Sequence, residues 1–197
     1  RPRPDLQGAH PLGLARPVYL YVGRVAVEKN IEAFLNADLP GSKLVVGDGP
    51  RLEHLRRAYP DTHFTGAQFG EALAEAYAAA DCFVFPSRTD TFGLVLIEAL
   101  AAGTPVAAYP VQGPLDVIGT HPAGALDEDI VVAARRALSI PRETARDFAL
   151  SFSWEACTRQ FIANLALEDR KEAASTADRL SDDVTLPAHS LRQNLTA

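Results

Sequence analysis

The chain contains no methionine, only two cysteines and one tryptophan in 197 residues. Together with the abrupt Arg1-Pro2-Arg3-Pro4 opening, the missing methionine leads us to expect a fragment or excised domain. Cys82 and Cys157 lie far apart and offer no disulfide framework; Cys82 sits in an apolar run and reads as a small buried residue. Basic residues are outnumbered, 19 against 25 acids, and the formal charge of −6 argues against a nucleic-acid surface. It does not exclude a small anionic ligand, because a few local cations can dominate one cleft. No window approaches the roughly 18 uncharged apolar residues of a membrane span, and no signal peptide opens the chain. The expected location is therefore cytoplasmic. The five histidines show no metal-ligand spacing, so no metal site is expected, and no G-x-S-x-G elbow supports hydrolase chemistry.

What is present is enough apolar residue, 47% of the chain, for a packed core. Residues 1–16 hold three of the fourteen prolines and read as a linker. A β-rich run over 18–22 ends at Gly23-Arg24, and Ile31, Phe34 and Leu35 then share a helical face. Leu44-Val45-Val46 is a second strand, stopped by Gly47-Asp48-Gly49-Pro50; a helix carrying Leu52, Leu55 and Tyr59 follows, then a short strand, His63-Phe64-Thr65. An alanine-rich helix over 71–80 turns Leu73 and Tyr77 inward.

Residues 83–108, FVFPSRTDTFGLVLIEALAAGTPVAA, are the stretch the chain is organised around. Pro86 ends a buried strand, a polar loop carries Asp90, and a helix begins at Leu94. Gly103 closes that helix and Pro105 prevents its continuation, after which another strand starts. A short helix near 112–116, a brief strand over 124–126 and helices over 130–139, 141–150 and 154–167 complete the pattern. Residues 168–197 turn polar and read as a tail. Strands alternating with helices predict an α/β fold, a parallel sheet with helices on both faces, over residues 17–167.

Local sequence leaves the chemistry open at each position. Arg24 and Lys29, after the first strand, suit a diphosphate clamp, or are solvated loop cations. The Gly47-Asp48-Gly49-Pro50 turn lacks the G-x-G-x-x-G spacing and sits on the second strand, so a tight turn explains it. Asp90 falls at the carboxyl end of its strand, where α/β sheets bind ligands. Glu98, inside the helix, either faces solvent or meets a hydroxyl pair that a carboxylate can accept from. Trp154 follows Ser153, a helix cap, and reads as a packing anchor.

Taken in order, VGRVAVEKN (22–30), VVGDGP (45–50), HFTG (63–66), the 83–108 stretch and GPLDVI (113–118) resemble the C-terminal, donor-binding half of retaining glycosyltransferases of family 4, also called group 1, in the GT-B class. The resemblance covers roughly residues 17–167 and implies a Rossmann-like half of a GT-B fold. It implies that Arg24 and Lys29 bind the donor diphosphate, with Gly23 in the turn between strand and cations, and that Glu98 holds the ribose hydroxyls. It places Asp90 at the transferred sugar, Thr91, Phe92, Gly93 and Leu94 at sugar and phosphate, and the segment 64–66 (Phe64 and Gly66 among it), with Leu73 behind, at the nucleobase. The first acid of the family's E-x7-E motif is Asp90 here, shorter by a methylene, which moves its reach by roughly 1.5 Å. Such D-x7-E variants are familiar among bacterial mannosyl- and glucosyltransferases.

The implied activity is retaining, metal-independent transfer of a hexose from a UDP- or GDP-linked donor, with no cofactor beyond that donor. The expected partners are the nucleotide sugar and a lipid or saccharide acceptor held by an N-terminal domain missing from this chain; peripheral membrane association is compatible with the full enzyme. The isolated chain is expected to be inactive. The competing readings are a GT-B epimerase, a non-catalytic nucleotide-sugar-binding remnant or interaction module, and a Rossmann-like domain with another ligand.

Overall fold

All five residues of β1 (Val18–Val22) are buried, as only the middle strand of a sheet covered on both faces allows. The computed structural model describes residues 12–90 and 93–152. The expected helix over 154–167, the polar tail and residues 1–11 of the linker lie outside them. In chain order the strands are β1, β2 (Ser42–Val46), β3 (His63–Gly66), β4 (Cys82–Phe85), β5 (Val106–Ala108) and β6 (Gly124–Leu126). Every pairing is parallel and the spatial order is β3-β2-β1-β4-β5-β6. Val18 pairs with Ser42 and Tyr19 with Lys43, so β2 begins two residues before its apolar run.

Alternation along β1 sorts the core into two layers. Tyr19 and Tyr21 join Val45, Cys82 and Val84 on one face, where α1 (Ile31–Leu35), α2 (Leu52–Ala58) and α6 (Ile130–Ala137) pack. Val18, Leu20 and Val22 join Leu44, Phe83 and Phe85 on the other. That face is covered by α3 (Gly70–Ala79), α4 (Leu94–Ala101), α5 (Gln112–Val117) and α7 (Arg142–Ala149). The predicted Rossmann-like sandwich is thus the observed one.

Helix ends follow their local chemistry. Asp129 caps α6 by accepting from the Val131 amide at 2.8 Å. At the end of α4, Gly103 takes φ +76 and its amide reaches Leu100 O at 2.8 Å, while Thr104 N reaches Ala99 O at 2.8 Å. That pair of bonds is a Schellman motif, and it turns the chain straight into β5. Arg142 ties the far ends of α3 and α4 together: its guanidinium donates to Ala80 O and Ala78 O, each at 2.7 Å, and to Ala102 O at 3.5 Å.

Candidate functional site

In this strand order the chain moves outward in opposite directions from β1 and β4, so a crevice opens between their carboxyl ends. The segments that follow those two strands, 23–30 and 86–90, form its walls. Four of the expected site residues, Gly23, Arg24, Lys29 and Asp90, stand here.

The first wall is held from behind by the glycine turn after β2. Gly23 N donates to Val46 O at 3.0 Å and Val25 N to Asp48 O at 2.9 Å. Gly47 and Gly49 allow this approach: a Cβ on Gly47 would lie 1.8 Å from Gly23 O, and one on Gly49 2.4 Å from Val25 O. The turn read from sequence as merely tight is therefore a backbone buttress for the Gly23-Arg24 loop. Tyr21 adds a third tie, donating from its hydroxyl to Arg24 O at 2.8 Å. Burial, and then the negative charges of Asp90 and Glu28, push the Tyr21 pKa far up, so this hydroxyl stays a donor.

A single 3-10 turn, Val27–Lys29, then leads to Asn30, which adopts left-handed φ 52 and donates from Nδ2 to Pro86 O at 3.0 Å. Thr89 reaches back with its hydroxyl to Glu28 O at 3.4 Å. These contacts bring Lys29 Nζ and Asp90 Oδ1 into an ion pair between side chains about three-quarters buried. The other carboxylate oxygen, Asp90 Oδ2, is buried and has no hydrogen-bond partner among the described residues. Arg24 stands further out, 64% exposed, with Glu28 Oε1 at 3.4 Å.

The second group of expected residues lies on the helices. Gly93 takes φ +75 at the head of α4, with Leu94 after it 67% exposed. One turn along, Glu98 accepts from the Tyr77 hydroxyl at 2.8 Å. Tyr77 is buried, and burial together with this bond raises its pKa. Leu73, Tyr77 and Glu98 line a groove of about 420 Å³ between α3 and α4 that runs on to Arg146; none of the crevice cations lines it. Glu98 itself is exposed rather than buried.

The structure does not bring the Phe64 ring to Leu73. Phe64 packs with the core layer of Val45 and Leu55, whereas Leu73 packs with that of Leu20 and Phe83, on the opposite face of the sheet. The Gly66 backbone, which accepts from Gly47 N at 2.9 Å, sits at the sheet's rim between them. Thr91 and Phe92 fall outside the described residues.

Sequence reading gave no site role to Asn30, Tyr77 or Arg88. Arg88 follows β4, lies over the Tyr109 ring at 3.7 Å from its centroid, and pairs with Glu128 at 3.2 Å. For Asn30 a signal existed, since asparagine is enriched in the left-handed region. Among the described residues, no three His, Cys, Asp or Glu side chains cluster in a way that could hold a metal ion. No described helix is long and apolar enough to cross a membrane.

The family profile described as "Glycosyl transferases group 1" matches residues 16–141, which include both walls of the crevice and the α3 and α4 sides of the groove. The chain belongs to that family. Among relatives of this group 1 chain, a GDP-mannose-dependent alpha-mannosyltransferase of Mycobacterium tuberculosis is 42% identical over 113 residues, 56% of this chain and 30% of that protein. A sulfoquinovosyl transferase of Arabidopsis thaliana is 34% identical over 162 residues, 73% of this chain and 32% of that protein. The apo form of a lipopolysaccharide outer core galactosyltransferase shares the fold, with a TM-score of 0.69 at 20% identity, over 85% of this chain and 52% of that one. The group 1 chain thus spans about a third of the length of these two curated relatives.

Proposed function

We propose that this chain carries the donor site of a retaining hexosyltransferase and binds a UDP- or GDP-linked sugar across the β1–β4 crevice. The observation that carries the reading is the Lys29–Asp90 pair, joined across the crevice with Asp90 Oδ2 buried and unpartnered among the described residues. A buried carboxylate oxygen without a donor is costly, and a sugar hydroxyl supplies one. Lys29 and Arg24 offer positive charge where the departing diphosphate gains negative charge, which is how a transferase lowers this barrier most. With two cations in that role the transfer is proposed to proceed without a metal ion. Asp90 is given the sugar-orienting role and no covalent one.

In this reading the hexose passes to a lipid or saccharide acceptor presented by a second domain outside these 197 residues, consistent with the chain's spanning a third of its relatives. The sugars named for those relatives differ, mannose in one and sulfoquinovose in the other, so the hexose is left unnamed. Titration calorimetry of the chain with UDP and with GDP tests the donor half. Saturable binding of one of them below millimolar concentration is expected, and no heat with either at millimolar concentration would overturn the reading.

A further inference from the structure

We propose that Tyr77 is a positioning residue that sets the Glu98 carboxylate for the donor's ribose, an inference that rests on the donor-site reading above and on the ribose role that the family resemblance implies for Glu98. Three contacts hold Tyr77 still. Its ring is 2% exposed, it lies 5.7 Å from the Phe83 ring at an interplanar angle of 57°, and its carbonyl accepts from the buried Thr104 hydroxyl at 2.6 Å. Its own hydroxyl is thereby presented at the wall of the α3–α4 groove, where it donates to Glu98 Oε2 at 2.8 Å.

Glu98 needs such a partner. It is exposed on α4, and a free glutamate there would sample several rotamers, each with its carboxylate in a different place. One short bond from a rigid phenol selects the rotamer in which the carboxylate lines the groove beside Leu73. An ionised carboxylate has about four acceptor positions, so a single phenolic donor leaves the rest for a vicinal diol. Tyr77 cannot compete for that role in reverse, because burial and the Glu98 bond both raise its pKa and keep it protonated.

The test compares the 197-residue chain with its Y77F variant in titrations against UDP, GDP and their 2′,3′-dideoxy counterparts. Phenylalanine keeps the buried ring and removes only the donor, and thermal unfolding checks that both proteins are folded. The expected result is that Y77F binds the ribonucleotide about tenfold more weakly, the scale of one hydrogen bond to a charged group, while dideoxynucleotide binding changes less than about twofold. Y77F binding both ligands as the parent does would overturn the proposal. So would equal losses on both, which would make Tyr77 a general support of the fold. If the parent binds neither UDP nor GDP, the donor-site reading fails before Tyr77 is at issue; if it binds ribo and dideoxy forms alike, the Glu98–ribose step alone fails.

Discussion

Asn30 donates from Nδ2 to Pro86 O at 3.0 Å and so fastens the segment after β1 to the segment after β4, 56 residues on. The bond joins the two walls of the crevice one residue beyond Lys29. Asn30 also takes φ 52, where a residue with a Cβ pays a conformational cost that asparagine bears better than most. Two substitutions separate these roles. N30G keeps the backbone and loses the bond, with an expected destabilisation of about 1 kcal/mol. N30A loses the bond and strains the backbone, with an expected total of about 2 kcal/mol. Urea denaturation reads the difference, and equal losses would show that the left-handed geometry carries no weight.

The glycine turn after β2 makes a sharper stability prediction. A Cβ at Gly47 meets Gly23 O at 1.8 Å, a backbone atom that cannot rotate away, so G47A must push the Gly23-Arg24 loop forward or part β1 from β2. A loss of more than about 2 kcal/mol is expected. Gly70 has φ +55 but nothing within 4 Å, so G70A should cost only about 1 kcal/mol. Thermal melts of the two variants provide the check; a G47A protein as stable as G70A would mean the loops are not packed as described.

Much of this arrangement was legible beforehand, for identifiable reasons. The strands β1 and β4 are short continuous apolar runs stopped by Gly23 and Pro86, and the end of α4 announces itself in Gly103-Thr104-Pro105. The start of β2 was hidden because Ser42 and Lys43 are polar; pairing with β1 recruits them, and Lys43 spends its charge on Leu35 O and Ala37 O at the end of α1. The partners of Asn30 and Tyr77 were beyond reach, since each bond exists only once the sheet has closed 56 or 21 residues of chain. Phe64 and Leu73 are close in sequence, but Phe64 points from β3 into one core layer while α3 packs Leu73 into the other.

Alkaline pH should weaken the fold in a defined window. Burial raises the pKa of the Cys82 thiol and of the Tyr21 and Tyr77 phenols above their ordinary values of 9.0 and 10.0. In the unfolded chain these groups lose protons near those values, while in the folded chain they keep them. Above about pH 9 the unfolded state therefore binds fewer protons, and stability falls as pH rises, by up to about 1.4 kcal/mol per unit for each such group. Denaturant titrations at about pH 8, 9.5 and 10.5 should show the decline beginning near pH 9 and steepening past 10. C82A should remove the first part of it; a decline of unchanged shape in that variant would take Cys82 out of the account.

Lys29 and Arg24 are assigned one task but sit in different surroundings, and salt should tell them apart. The Lys29 side chain is 26% exposed and already faces Asp90, whereas Arg24 is 64% exposed beside Glu28. Exposed charges are screened over a Debye length that shrinks from about 14 to about 4 Å between 0.05 and 0.5 M salt, while partly buried pairs feel this far less. K29M should weaken binding of the preferred nucleoside diphosphate by about tenfold or more at both salt concentrations. R24Q should weaken it by a similar factor at low salt and by less than about threefold at high salt. Because a nucleoside diphosphate carries no hexose, D90N should leave its affinity within about threefold of the parent and weaken only the sugar-linked donor. Calorimetry across the three variants, two ligands and two salt concentrations decides among these. If K29M and R24Q fade together as salt rises, Lys29 acts at the surface and the crevice formed with Asp90 is not where the diphosphate sits.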